Sequence, residues 1–131
     1  MVQATGVLDV MMSWTGTFIG KVRIGDRSSE TRRTLTPEDL EFMLDSMADS
    51  LAMMAGVNNI SVGGTLASGD IEVTFSMLAA SLTEAHAAIF NAFGLANTYA
   101  AMAVTARVGA TERVDTGWQS SRVDPSELVP A

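Results

Sequence analysis

The chain has no cysteine and a single histidine among its 131 residues. Without cysteine it cannot form disulfide bonds, thiolate metal sites or a cysteine nucleophile. No residue spacing typical of a metal site or a catalytic centre stands out either. We therefore predict no metal and no cofactor, and the lack of cysteine agrees with a reducing cytosol.

Charge is also sparse, and most of it is negative. Charged residues make up 18% of the chain, with 8 basic and 15 acidic residues and a net charge of −7. Because nucleic acids are bound by basic surfaces, we expect no nucleic-acid partner. This expectation holds although one segment is locally positive and contains Lys21, Arg23, Arg27, Arg32 and Arg33. The low charge predicts that part of the surface is neutral or is buried against a partner.

Long hydrophobic runs are missing too. Apolar residues make up 47% of the chain, which is enough for the core of one domain. The longest apolar stretches are nevertheless interrupted within a few residues and fall short of the roughly 18 needed to span a bilayer. The segment Met1–Gly6 has neither the basic region nor the apolar run of a signal peptide. These absences predict a soluble, cytoplasmic protein with no membrane partner.

The clearest pattern that is present lies in residues 60–77. Apolar and polar residues alternate from Ile60 to Leu66 and again from Ile71 to Met77, on either side of the loop 68–70. Alternation on both sides of a short loop that contains glycine predicts a β-hairpin with one apolar face.

A helix is predicted directly after this hairpin. Ser81 and Glu84 have the spacing of a capping box, and Gly94 is a natural end for the helix. Residues 99–108 alternate again, and we interpret them as a strand. The alternative, a helix that continues through Gly94, costs about 1 kcal/mol for the glycine and stays open.

The N-terminal part predicts strand structure with one uncertainty. Residues 7–14 alternate and are partly apolar on both faces, which is typical of a central strand. Residues 18–24 form either a second strand after a turn or the continuation of one long strand with a bulge at Gly16 or Gly20. Residues 25–35 are predicted to be a loop.

A first helix is predicted from residue 37. Thr36 is suited to cap it and Pro37 to occupy its first turn. One face of this helix is apolar, and Gly56 is suited to the position that follows the C-terminal end of the helix. The opposite face carries four acidic residues without intervening lysines: Glu38, Glu41, Asp45 and Asp49.

The order of elements predicts an α+β fold. Strand, helix, hairpin, helix and strand make the ferredoxin-like βαββαβ arrangement, a two-layer sandwich of a four-stranded sheet and two helices. An extra N-terminal strand remains an alternative. We assign residues 1–110 to this single domain and residues 111–131 to an irregular C-terminal tail.

Four short strings carry a resemblance to a known class of domain. They are Trp14-Thr15-Gly16-Thr17-Phe18, Ile71-Glu72-Val73-Thr74-Phe75, Val104-Thr105-Ala106-Arg107-Val108 and Pro125-Ser126-Glu127-Leu128-Val129. With the two helices between them, they resemble small ferredoxin-like domains of actinobacterial proteins. Those domains have no assigned activity, so the resemblance implies the fold and no functional residue.

Two functions follow as hypotheses from these patterns. The first is a non-enzymatic protein-interaction module, homodimeric, that binds a protein partner through the acidic face of the helix in residues 36–55 or through the tail. The four acidic residues of this helix are also typical of a solvated helix face, and they could instead face the arginines of residues 21–33, within the molecule or in a second copy.

The second hypothesis is a dimeric α/β-barrel-type small-molecule-binding protein or enzyme with an apolar cavity. That cavity would be lined by Trp14, Phe75, Met77 and His86. A catalytic role for His86 would need partners, and no spacing in the sequence supplies them.

Overall fold

A computed structural model describes residues 11–24, 33–34, 36–65, 68–108 and 114–129. The chain forms an antiparallel sheet and two helices, which confirms the α+β class. The elements, in chain order, are β1 (Met11–Ile24), β2 (Arg33–Thr34), α1 (Pro37–Ala52), β3 (Asn58–Thr65), β4 (Asp70–Ala79), α2 (Leu82–Val108) and β5 (Val114–Val129).

Strand β1 is the centre of the sheet. Its residues 12–21 pair with β4 and at the same time with β5, so these two strands occupy its opposite edges. Strand β3 pairs with the far side of β4, and the two residues of β2 pair with the end of β1. The long strands therefore lie in the order β5-β1-β4-β3. The predicted central position of the first strand is confirmed over residues 11–14, while residues 7–10 lie outside the described residues.

Residues 11–24 form one strand, so the alternative of a single long strand is confirmed for them and a separate strand at 18–24 is not formed. The pairing of β1 with β5 shifts register between Ser13 and Trp14 and between Ile19 and Gly20. In both places the extra residue belongs to β5, at Ser126 and Gln119. The expected bulge in β1 itself is therefore wrong.

Residues 99–108 are helical, and the strand predicted for them is wrong. Helix α2 runs through Gly94 without a break and ends at Val108. The reason lies in the burial pattern. Ala96, Ala100 and Val104 are fully buried at intervals of four residues, and this interval is helical. Alanines fit both the two-residue period of a strand and the 3.6-residue period of a helix. The alternation in this segment therefore did not distinguish a strand from a helix.

Residues 114–129 form the long strand β5, which pairs with β1 along its whole length. The irregular structure predicted for this part of residues 111–131 is therefore wrong. The segment contains Pro125, which has no N–H to donate. A proline is tolerated in β5 because β5 lies at the edge of the sheet.

The core lies between one face of the sheet and both helices. Its fully buried side chains are Phe18, Val22, Val73 and Phe75 from the sheet, Leu40, Met43, Met47 and Leu51 from α1, and Ala85, Ile89, Ala96, Ala100 and Val104 from α2. The ring of Phe18 is stacked on that of Phe93 with centroids 3.7 Å apart. One cluster thus holds both helices against the sheet, an arrangement compatible with two layers.

The predicted hairpin and helix starts are confirmed. Thr65 pairs with Asp70 across the hairpin turn. The Thr36 hydroxyl accepts from the Asp39 N–H at 3.2 Å. The Ser81 hydroxyl accepts from the Glu84 N–H at 3.3 Å, and the Glu84 carboxylate accepts from the N–H of Ala80 rather than from that of Ser81.

Helix α2 is, by length and composition alone, able to cross a membrane. Within Leu82–Arg107 an 18-residue window has a mean hydropathy of 1.3, and 33% of that window is buried. The expectation that no stretch would reach this length is therefore wrong. The core helix of a soluble protein passes the same test, and α2 carries core residues such as Ile89 and Val104.

Candidate interaction surface

The four acidic residues of α1 share an exposed face of the helix. Glu38, Glu41, Asp45 and Asp49 are all exposed, whereas the apolar face of α1 is buried. The ion pairs among the described residues involve Asp39, Asp70 and Asp124 instead. We call these four residues the acidic row. Its negative charge is not neutralised by any cation within the described parts of the chain.

The position of α2 shows which way the acidic row faces. The Arg107 guanidinium donates from Nε to Asp39 Oδ1 at 2.8 Å and lies 4.8 Å from the centroid of the Phe42 ring. Asp39 and Phe42 therefore face α2. A helix turns by about 100° per residue, so Glu41 lies about 160° around the helix from Asp39. Glu41 is thus on the flank of α1 that is turned away from α2.

Helix α1 also has a neighbour in the sheet, strand β3. Helix α1 packs against β3 as well as against α2, and β3 is the end strand of the pairing order. Most of β3 is exposed, with Ile60 and Val62 half-buried beneath the helices. The helix that carries the acidic row therefore packs beside an end strand of the sheet.

A shallow concavity of about 470 Å³ lies on the other side of β3, on the sheet face away from the helices. Gly63 pairs with Glu72, and a Cβ atom on Gly63 would meet nothing within 4 Å. The glycine leaves the space open, and the exposed Glu72 lies at its wall together with Ile19 and Thr74. The carboxylate of Glu72 thus lies beside β3 on the sheet face away from the helices.

Asp70 is a further acid of the concavity. The Ser68 hydroxyl donates to Asp70 Oδ2 at 2.6 Å, and Lys21 Nζ lies 3.6 Å from Oδ1. The hydrogen bond from Ser68 and then the charge and hydrogen bond of Lys21 lower the pKa of Asp70, against a smaller opposing effect of desolvation. Asp70 is consequently ionised at neutral pH.

The four residues of the hypothetical cavity have different surroundings. Trp14 and Met77 are paired across β1 and β4. Phe75 is fully buried in the core, where its ring lies 6.1 Å from that of Phe18. His86 is exposed on α2, and its ring stacks on Phe90 at 4.2 Å. The structure thus brings Trp14 and Met77 together and places His86 at the surface.

Sequence reasoning missed one surface, the outer face of α2. Leu95, Tyr99 and Met102 are 57%, 57% and 68% exposed, and no Asp, Glu, Lys or Arg lies between Glu84 and Arg107. Their spacing of four and three residues is a helical signal. It was hidden because residues 99–108 were interpreted as a strand.

Within the described residues, no group of three or more His, Cys, Asp or Glu side chains could hold a metal ion. Comparison with protein-family models, with curated proteins and with solved structures finds no match. Nothing in these comparisons bears on the resemblance to small ferredoxin-like domains.

Proposed function

We propose that this chain is a non-enzymatic protein-interaction module whose acidic row binds a basic protein partner. The observation that carries the proposal is the exposure of four carboxylates on one helix face without an ion pair among the described residues. Opposite charges on two surfaces accelerate association and select the partner. The lack of cysteine supports a cytoplasmic setting for this interaction.

The ferredoxin-like arrangement is part of the same proposal. The antiparallel order β5-β1-β4-β3, with α1 between β1 and β3 and α2 between β4 and β5 in the chain, supports it. Such a sandwich leaves the outer surfaces of the helices available for partners.

Homodimer formation is a second part of the proposal, supported by the outer face of α2. Two copies that each carry a net charge of −7 repel one another, except where an uncharged surface meets an uncharged surface. The exposed Leu95, Tyr99 and Met102 offer such a surface. Light scattering on the wild type and on Met102→Lys tests it, because the added charge should convert a dimer into a monomer.

The acidic row is tested with an acetylated and amidated ten-residue peptide of alternating lysine and valine. Isothermal titration calorimetry at two salt concentrations measures its affinity for the wild type and for the double variant Glu41→Gln/Asp45→Asn. We expect roughly three- to tenfold weaker binding by the variant, since exposed charge pairs contribute up to about 1 kcal/mol each.

The control removes two exposed acids outside α1, in the variant Glu84→Gln/Asp124→Asn. It has the same net charge as the test variant. Equal loss of affinity in both variants would mean that only net charge matters, and it would contradict a specific role of the acidic row.

A further inference from the structure

The two edge strands of the sheet differ in how well they are protected against pairing with another chain. Strand β5 carries Arg122, Asp124 and Pro125 and is bulged at Gln119 and Ser126. Charges, proline and bulges are the features by which natural proteins block an edge. Strand β3 has no charged residue and no proline, although its pairing with β4 shifts register between Asn58 and Ser61, and within the described residues its outer edge is unpaired.

The free edge of β3 is long enough to bind an extended segment. Its regularly paired residues 61–65 span about 17 Å, and along that length alternate N–H and C=O groups point away from β4. Partner segments that add a strand to such an edge take their affinity from these backbone groups and their specificity from side chains on both faces.

The two faces next to this edge define the chemistry of the segment. On the helix face Ile60 and Val62 are half-buried and pack against the core. On the other face Glu72 lies at the concavity beside Gly63. Apolar side chains suit the first face, and basic side chains suit the carboxylate on the second.

Charge also decides against a second copy of the chain at this edge. Pairing of β3 with β3 of another copy would join two chains that each carry a net charge of −7 and would place their two Glu72 carboxylates in one sheet. Like charges repel and oppose such an assembly. A basic segment from a different protein meets no such repulsion.

We propose that β3 binds an extended segment of a partner protein, in which basic and apolar residues alternate, as an additional strand of the sheet. The inference rests on the proposed function, because it specifies the kind of basic partner that binds this interaction module and the conformation in which that partner binds. The basic side chains face Glu72 on the sheet face away from the helices, and the apolar ones cover Ile60 and Val62 on the helix face.

The test compares the lysine–valine peptide with two forms methylated on the backbone. One form carries a methyl group on the backbone nitrogen of every lysine, and the other on the backbone nitrogen of every valine. In an added strand only one of these two sets of N–H groups points at β3. We therefore expect one form to bind at least tenfold more weakly than the other. Hydrogen exchange should show protection of β3 amides on addition of the unmethylated peptide.

Position 63 supplies a matched pair of variants, since a side chain there meets open space. Gly63→Lys should weaken peptide binding about tenfold by repelling the lysines, and Gly63→Glu should leave it equal or stronger. Circular dichroism and a thermal melt verify that both variants fold. Equal binding by both variants would overturn the proposal.

The outcomes also separate the two proposals. If Glu41→Gln/Asp45→Asn weakens binding but both N-methylated peptides bind equally and β3 gains no protection, the acidic row binds the partner and strand addition is wrong. If no variant alters binding, both proposals are wrong. A wild-type dimer that Gly63→Lys dissociates would assign the edge to a second copy and would overturn the inference.

Discussion

The indole N–H of Trp14 donates a hydrogen bond to the backbone carbonyl oxygen of Ala79, 65 residues away in the chain, across 3.0 Å. Both residues are buried. The other tryptophan, Trp118, has its indole nitrogen buried without a hydrogen-bond partner in the described structure. The two tryptophans therefore form a natural comparison of a satisfied and an unsatisfied indole.

Trp14→Phe should lower the free energy of unfolding more than Trp118→Phe does. The first variant removes a donor from a buried carbonyl, which costs about 1–3 kcal/mol, whereas the second removes an unsatisfied N–H. The loss of ring volume is the same in both. Urea unfolding followed by circular dichroism measures the difference, and an equal loss in the two variants would show that the hydrogen bond of Trp14 has no net value.

The contact between Asp39 and Arg107 should stabilise the packing of α1 on α2. It joins the first turn of one helix to the last turn of the other, so each charge also meets the favourable end of its helix dipole. A double-mutant cycle with Asp39→Asn and Arg107→Gln should give a coupling energy of about 0.5–1 kcal/mol. The coupling should shrink in 1 M salt, and a coupling of zero in low salt would contradict the expectation.

Ser68→Ala should raise the pKa of Asp70. The hydroxyl of Ser68 is the largest cause of the lowered pKa of Asp70, so its removal leaves desolvation, which raises this pKa, and the weaker lowering influence of Lys21. NMR titration of the Asp70 carboxyl carbon measures the shift, with Lys21→Met as the second variant. If Lys21→Met shifted the midpoint further than Ser68→Ala, the order of the two causes would be reversed.

The same group makes stability depend on pH in acid. Because the pKa of Asp70 is lower in the folded than in the unfolded chain, ionised Asp70 stabilises the fold above the unfolded pKa of about 3.9. This contribution is lost as the pH falls through the folded pKa. The stability difference between the wild type and Asp70→Asn should therefore be constant near neutral pH and should diminish below about pH 4.

Gly94→Ala should stabilise the protein by up to about 1 kcal/mol. Gly94 lies inside α2, where alanine is favoured over glycine by that amount, and an added Cβ would meet nothing within 4 Å. Gly16→Ala is the contrasting variant, because its Cβ would overlap Ile89 and lie 3.2 Å from the Phe18 ring. That variant should lose about 1–3 kcal/mol, and chemical denaturation compares the two.

Local patterns in the sequence were sufficient for those elements whose pattern fits one structure only. The hairpin around Gly69 and the cap at Thr36 were predicted because alternation and capping need only neighbouring residues. The exposure of the acidic row follows in the same way, since four acids at helical spacing cannot face an apolar core.

Residues 99–108 and 114–129 depended on contacts that are distant in the chain. Alanine-rich residues 99–108 fit either period, and they became helical where α1 and the sheet bury one side of them. Residues 114–129 lack clear alternation, and pairing with β1, nearly a hundred residues earlier, makes them a strand. Backbone hydrogen bonds to a distant strand require no particular side chains. A segment that buries few side chains therefore shows no alternation that would predict it as a strand.

The sequence by itself determined the α+β class, the acidic character of α1 and the absence of any chemistry that requires cysteine. Only the tertiary structure decided which strands lie at the edges, and with that which edge has neither charged residues nor proline. The physical reason is that a strand's position in a sheet is set by backbone partners far away in the chain. Charge, capping and alternation are properties of neighbours, and they are written in the chain itself.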